Sequence, residues 1–72
     1  MTKVTKHRLN RELKIDYDLE FWYDRSVGQW VIEGIDKNDQ WFTKGTCIYA
    51  LQHLSFEQWI NMAIRFYNGE ST

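Results

Sequence analysis

Apolar side chains recur every third or fourth position between residues 56 and 68, which is the spacing of a helix buried along one face. Ser55 and Gln58 have the spacing of a capping box, and Gly69 stands where such a helix would end. The pattern therefore predicts an α-helix from about residue 56 to 68. The side chains expected to face a sheet are Phe56, Trp59, Ile60, Ala63 and Tyr67.

The apolar arc of this helix is wider than a single sheet face would cover. At roughly 100° per residue its apolar side chains span about 200°, and a three-stranded sheet would bury about half of that arc. Met62 and Phe66 lie on the flank. We expect them to contact residues 46–54, the N-terminal segment or a second copy of the chain, which makes them the candidate oligomer contact.

After residue 18 the period changes to two, because apolar and polar side chains then alternate as they do in half-buried strands. Gly28 can supply the positive φ of a first turn, and Asp36 to Asp39 have the composition of a second turn. The pattern predicts a three-stranded antiparallel meander. Its strands are residues 19–24, 29–35 and 40–44.

The register of the two hairpins decides which side chains share a face, since a slip by one residue exchanges the faces. A four-residue first loop places Trp22 opposite Val31, and a second turn of two or four residues places Glu33 opposite Phe42. The expected core face carries Leu19, Phe21, Tyr23, Trp30, Ile32, Gly34 and Trp41. The expected opposite face carries Trp22, Val31, Ile35 and Phe42 with Glu20, Glu33, Gln40 and Lys44.

Two further segments allow alternatives. Thr46 can cap a short helix over residues 46–54, although the same residues also suit a fourth strand; the helix is our prediction. Residues 1–14 form a basic N-terminal arm that is either mobile or a short helix, and residues 15–72 form one compact domain. The predicted fold is α+β, with the order β-β-β-α-α after the arm.

Composition favours a small, densely packed domain. Four residues each of Trp, Tyr and Phe among 72 supply the buried area that so short a chain needs. A single cysteine, Cys47, excludes an internal disulfide and is expected to be a small core residue. No apolar run approaches the roughly 20 residues that span a bilayer. We therefore expect a cytoplasmic protein without a membrane partner.

The formal net charge of −1 conceals an asymmetry. Residues 1–14 carry five basic side chains and one acidic side chain, whereas residues 15–72 carry four basic and nine acidic ones. Basic clusters of this kind are often solvated surface, but they also suit nucleic acid. The candidate nucleic-acid contacts are Lys3, Lys6, Arg8, Arg11 and Lys14.

Catalytic and metal-binding chemistry is not indicated. His7, His53 and Cys47 stand far apart in the chain and lack the spacing of a metal site. Glu20 and Glu33 oppose each other in the expected register, but on an open face without a cleft. We expect neither an enzyme nor a cofactor or metal.

The face opposite the core offers a binding surface. Trp22, Val31 and Phe42 lie on adjacent strands and form one apolar patch, which is typical of an interface unless the arm or a second copy covers it. The expected partner-binding residues are Trp22, Val31 and Phe42 with Glu20, Glu33 and Lys44.

These features predict a small non-enzymatic protein-binding regulator or inhibitor with an acidic rim, acting on a host macromolecule. Short, aromatic-rich chains of this type are frequent among accessory proteins of phages and mobile elements. The alternative is a nucleic-acid-binding module that combines the basic arm with the sheet aromatics. A homodimer is a further option.

The stretch Gly28 to Glu33, followed by Asp36, Trp41 and Gly45-Thr46, resembles the DNA-binding domain of plant ethylene-response factors. The resemblance covers about half of the chain at scattered positions and implies three strands followed by a helix. That family's sheet contacts DNA through arginines, whereas these strands carry Glu33, Asp36 and Asp39. No functional residue is therefore transferred.

Overall fold

The computed structural model of the protein describes residues 3–70; residues 1–2 of the predicted arm and 71–72 of the predicted domain lie outside it. Its architecture is α+β, as predicted, with one helix before the strands and one after them. The elements are, in chain order, helix α1 (Lys6–Asp16), strands β1 (Leu19–Asp24), β2 (Gln29–Ile35) and β3 (Trp41–Gly45), a single 3-10 turn (Leu51–His53) and helix α2 (Phe56–Tyr67).

Helix α2 has the ends that its sequence predicted. The Gln58 backbone N–H donates to Ser55 Oγ at 3.1 Å, and the Ser55 N–H donates to Gln58 Oε1 at 2.8 Å, which completes the capping box. At the other end Gly69 adopts a φ of 81°, which suits glycine, and its N–H donates to the carbonyl of Phe66. Local sequence signals therefore account for both boundaries of α2.

The N-terminal segment adopts the second of its two predicted alternatives, a helix. Thr5 is the N-cap of α1, and its hydroxyl accepts a hydrogen bond from the Arg8 N–H at 3.2 Å. Leu9 and Leu13 are fully buried in the core. Asn10 also ties α1 to the free edge of β1: the Phe21 N–H donates to Asn10 Oδ1 at 2.7 Å, and Asn10 Nδ2 donates to the Phe21 carbonyl at 3.2 Å. The helix is thus part of the folded domain.

The sheet is an antiparallel meander in the order β1-β2-β3. The register of the first hairpin is confirmed, with Trp22 opposite Val31. The register of the second hairpin was wrong by one residue, because Phe42 lies opposite Gly34 instead of Glu33.

The cause of the slip is a turn of three residues. The Asp36 N–H donates to the Gln40 carbonyl at 2.9 Å, which leaves residues 37–39 as the loop. The Asp36 carboxylate accepts from the N–H groups of Asn38 and Gln40, and Asp39 adopts a left-handed φ of 65°. A loop with an odd number of residues exchanges the faces of β3 relative to the expected loop of two or four.

The slip corrects the placement of three side chains. Phe42 packs against the core on the helix-covered face of the sheet. Lys44 lies on the same face, with its ammonium 5.8 Å from the centre of the Phe66 ring. Trp41, which was expected in the core, lies on the opposite face and is 64% exposed.

The core is assembled around Trp59 of α2, which is fully buried. Its ring meets Phe21 edge-on with centroids 5.4 Å apart, and its indole N–H donates to the Leu51 carbonyl at 2.7 Å. The sheet, α2 and the 3-10 turn thus meet at one side chain. The buried members of the core cluster are Leu9, Leu13, Leu19, Phe21, Ile32, Leu51, Trp59, Ala63 and Phe66.

Helix α2 buries part of the predicted face, since Trp59 and Ala63 are fully buried, but the buried stripe is shifted toward Phe66. Phe66, expected as an oligomer contact, is only 7% exposed and belongs to the core, and Met62 is half-buried against that core. Tyr67, expected to meet the sheet, instead packs edge-on against Tyr17, with ring centroids 4.8 Å apart. The reason is that α1 shares the core with α2, so the buried stripe of α2 is set by two neighbours.

Residues 46–54 are not the predicted helix. The Thr46 N–H and hydroxyl both donate to the Trp30 carbonyl, and the Trp30 N–H donates to the Ile48 carbonyl at 2.8 Å, so the chain continues beside β2. Only the 3-10 turn is helical. Cys47 adopts a left-handed φ of 63° and is exposed, so its predicted core position was wrong.

Candidate binding surfaces

We use "outer face" for the side of the sheet that points away from the core cluster. The buried side chains of both helices belong to the core on the other side. Strand alternation therefore leaves one apolar group and one polar group of side chains on the outer face. The apolar group is Trp22, Val31, Ile35 and Trp41, and the polar group is Glu20, Asp24, Gln29, Glu33 and Thr43.

The centre of the outer face is packed although it lies outside the core. Val31 is only 3% exposed, and it is not a member of the core cluster. Trp22 lies opposite Val31 and is half-buried. Its indole N–H donates to Glu33 Oε1 at 2.6 Å. A charge-assisted hydrogen bond of this kind holds the indole in one orientation.

Trp41 is the exposed part of this surface. It stands on the edge strand β3 opposite Ile35, which is half-buried. The Trp41 side chain is 64% exposed. Because it buries little apolar area, it adds little to the stability of the monomer. Trp22 stands on the other edge strand, at the level of Val31, so the two tryptophans mark separate parts of the outer face. Exposed aromatic side chains of this kind are enriched at interfaces.

The structure brings together four of the six predicted partner-binding residues. Trp22, Val31, Glu20 and Glu33 share the outer face. Phe42 and Lys44 do not, because the three-residue turn places both on the core side. Sequence reasoning missed Trp41 as an outer residue.

A signal for Trp41 was present in the turn. Asp36 and Asn38 are spaced for an Asx-type hydrogen bond, and Asp39 is a residue type that tolerates a left-handed φ. Together they favour a three-residue loop over an even-numbered one.

A second surface is the basic face of α1, which we define as His7, Arg8, Arg11 and Lys14. All four side chains are exposed, and they lie on the side of α1 opposite Leu9 and Leu13 at 100° per residue. The other two predicted nucleic-acid contacts, Lys3 and Lys6, are also exposed. Beside the basic face, an open groove of about 550 Å³ is lined by His7, Arg8, Arg11, Glu12, Ile15 and Phe56.

The basic face of α1 points away from the core. Leu9 and Leu13 point into it from α1, and Phe21 and Ile32 point into it from the sheet. The nucleic-acid-binding alternative, which combines the basic arm with the sheet aromatics, stays a prediction.

A third, shallow groove of about 390 Å³ lies at one end of the sheet. Tyr23 and Trp30 meet in it with ring centroids 5.4 Å apart, and Tyr49 packs against His53 at 4.8 Å. Sequence analysis did not predict it, since the segment 46–54 was expected to be helical. Its lining residues are Tyr23, Trp30, Tyr49, Ala50, Leu51 and Gln52.

Within residues 3–70 no group of three or more His, Cys, Asp or Glu side chains is placed to hold a metal ion. The same part of the chain contains no helix with the length and apolar character needed to traverse a membrane. Searches of protein-family models, curated proteins and solved structures find no match for this chain.

Proposed function

We propose that this chain is a small non-enzymatic protein-binding regulator or inhibitor whose binding surface is the outer face of the sheet. The observation that supports the proposal is that one sheet face, against which no described helix packs, carries both an exposed Trp41 and an oriented, half-buried Trp22. Tryptophan is enriched among the side chains that dominate interface energetics.

The outer face has the anatomy of an interface. Its apolar centre is Val31 and Trp22, and carboxylates stand beside that centre at Glu20 and Glu33. Protein interfaces combine an apolar centre with a polar rim in this way. Because Glu33 already holds the Trp22 indole, little side-chain entropy is lost there on binding.

The charge of the face indicates the chemistry of its partner. The outer positions of the three strands include Glu20, Asp24 and Glu33 and no basic side chain, as Lys44 lies on the core side. Complementary charge accelerates association and disfavours wrong partners. The matching surface is a protein with an apolar patch flanked by lysine or arginine.

A pair of matched variants tests the proposal. Trp41→Ala removes an outer-face aromatic that is 64% exposed, and Tyr49→Ala removes one that is 66% exposed but stands away from that face. Both should unfold within about 0.5 kcal/mol of the wild type, since exposed substitutions rarely exceed that value.

The binding readout is retention of protein from an extract of the native cells on immobilised wild type and variants. We expect a partner that wild type and Tyr49→Ala retain and that Trp41→Ala loses. The purified partner's own activity should then fall when the chain is added. A partner retained equally by wild type and Trp41→Ala would overturn the assignment of the outer face.

A further inference from the structure

The basic face of α1 is a charged patch that a protein-binding role for the outer face leaves unexplained. Arg8, Arg11 and Lys14 project from it beside His7, and Glu12 is the acidic side chain that accompanies them. All four side chains are exposed, and the charged groups of Arg8, Arg11 and Lys14 remain free to contact another molecule. The described chain beyond residue 14 has four basic and nine acidic residues, so the excess of basic over acidic residues lies in the N-terminal segment that contains most of α1.

The basic charges in the first turn of α1 oppose the stability of the helix that carries them. A helix N-terminus bears partial positive charge and favours acidic side chains. Instead, α1 begins with Lys6, His7 and Arg8, and its first turn contains no acidic residue. Local features that work against stability occur preferentially at functional positions. The arrangement therefore points to a ligand for the basic face.

The chemistry of the face favours a phosphate backbone over bases. The exposed side chains on this side of α1 are basic or aliphatic, with Ile15 70% exposed, and α1 itself carries no Trp, Tyr or Phe. Phe56, which lines the adjacent groove, is partly buried, so the face offers few planes on which bases could stack. The exposed basic side chains can pair instead with phosphate oxygens. Contacts of this kind recognise charge without reading sequence.

We propose that the basic face of α1 binds the phosphate backbone of nucleic acid independently of sequence, while the outer face remains free for protein. The acidic body of the domain repels the polyanion, so that only α1 approaches it. The inference does not depend on the identity of any protein that binds the outer face. It gives the molecule two binding surfaces, the basic face of α1 for nucleic acid and the outer face for protein.

The test is the fluorescence anisotropy of a labelled duplex of about 20 base pairs, titrated with the full chain between about 25 and 200 mM salt. Contact with three or four phosphates predicts a slope of log K against log salt of about −3, because each neutralised phosphate contributes about −0.9. A second duplex of scrambled sequence should bind equally well.

Matched charge variants locate the site. Arg8→Gln with Arg11→Gln should reduce the magnitude of the slope by about 2 and weaken binding at low salt at least tenfold. Lys37→Gln with Arg65→Gln removes the same charge from the β2–β3 turn and from α2, and should leave the slope within about 0.5 of wild type. Circular dichroism melts confirm that both double variants are folded.

Three results would overturn the proposal. The first is no binding to either duplex at the lowest salt. The second is an equal loss of slope in the two double variants, which would mean that net charge alone matters. The third is tighter binding of poly-glutamate than of duplex at equal charge, which would assign the face to an acidic protein.

Discussion

Helix α2 begins with Ser55 as its cap and Glu57 in its first turn and has Arg65 in its last turn, so its charges complement the helix dipole. Helix α1 begins with Lys6 and Arg8 and has no acidic residue in its first turn. The two helices have nearly the same length, and both carry a basic residue in the last turn, so the electrostatic contrast between them lies in their first turns. One helix is arranged for stability, whereas the other keeps positive charge where it weakens the helix.

The helices also differ in how they join the domain. α2 inserts the fully buried Trp59, with Ala63 and Phe66, between the sheet and the 3-10 turn. α1 contributes Leu9 and Leu13 to the same core. It is held at the edge of β1 by side-chain hydrogen bonds. A short helix with unfavourable charges depends on such tertiary contacts for its stability.

The largest expected effect is at Trp59. Trp59→Ala should cost about 3 to 5 kcal/mol, which is a large part of the total stability of a domain this small. Trp59→Phe fills much of the volume but loses the 2.7 Å bond to the Leu51 carbonyl, and should cost less. Urea unfolding followed by circular dichroism measures both. A loss below about 1 kcal/mol in Trp59→Ala would show that α2 is not the central element of the core.

The next effect is at Asn10, the link between α1 and the sheet. Asn10→Ala removes both hydrogen bonds to the Phe21 backbone and should cost about 1 to 3 kcal/mol. Asn61→Ala, at an exposed position of α2, is the matched control and should stay within about 0.5 kcal/mol of wild type. Hydrogen exchange of the Phe21 amide should accelerate in the first variant alone. Unchanged exchange in Asn10→Ala would contradict this role.

The same contrast explains how much could be predicted from the chain. The bounds of α2 follow from local signals, the capping box at Ser55 and Gly69 at its end, and the first hairpin follows from alternation and Gly28. The prediction of which β3 side chains face the core was wrong, because hydrogen bonds of the Asp36 side chain set the number of loop residues. The outer-face site was accordingly predicted in part, and Trp41 was missed.

Tertiary contacts account for the remaining errors. The buried stripe of α2 could not be predicted without knowing that α1 packs beside it, so Phe66 was assigned to a flank instead of the core. Residues 46–54 have acceptable helix propensity, but Thr46 and Ile48 bond to the Trp30 backbone instead. In both cases a partner distant in sequence decided the conformation.

A smaller difference is expected between the two N-caps. Ser55→Ala removes one half of a reciprocal capping box and should cost about 1 kcal/mol. Thr5→Ala removes a single bond of 3.2 Å to the Arg8 N–H and should cost about 0.5 kcal/mol. Thermal melts of the two variants give the comparison. A larger loss for Thr5→Ala would reverse the order of stability that we assign to the helix ends.

The smallest effect tests the electrostatic contrast itself. Lys6→Glu places an acidic residue in the first turn of α1 and should stabilise the protein by about 0.3 to 1 kcal/mol at low salt. Glu57→Lys makes the reverse change in α2 and should destabilise by a similar amount. Both effects should fade at about 1 M salt, where screening shortens the range of charge interactions to about 3 Å. If Lys6→Glu also weakens duplex binding, the positive charge that lowers the stability of α1 contributes to binding. A destabilised Lys6→Glu would show instead that Lys6 supports α1, and the electrostatic contrast between the helices would not hold.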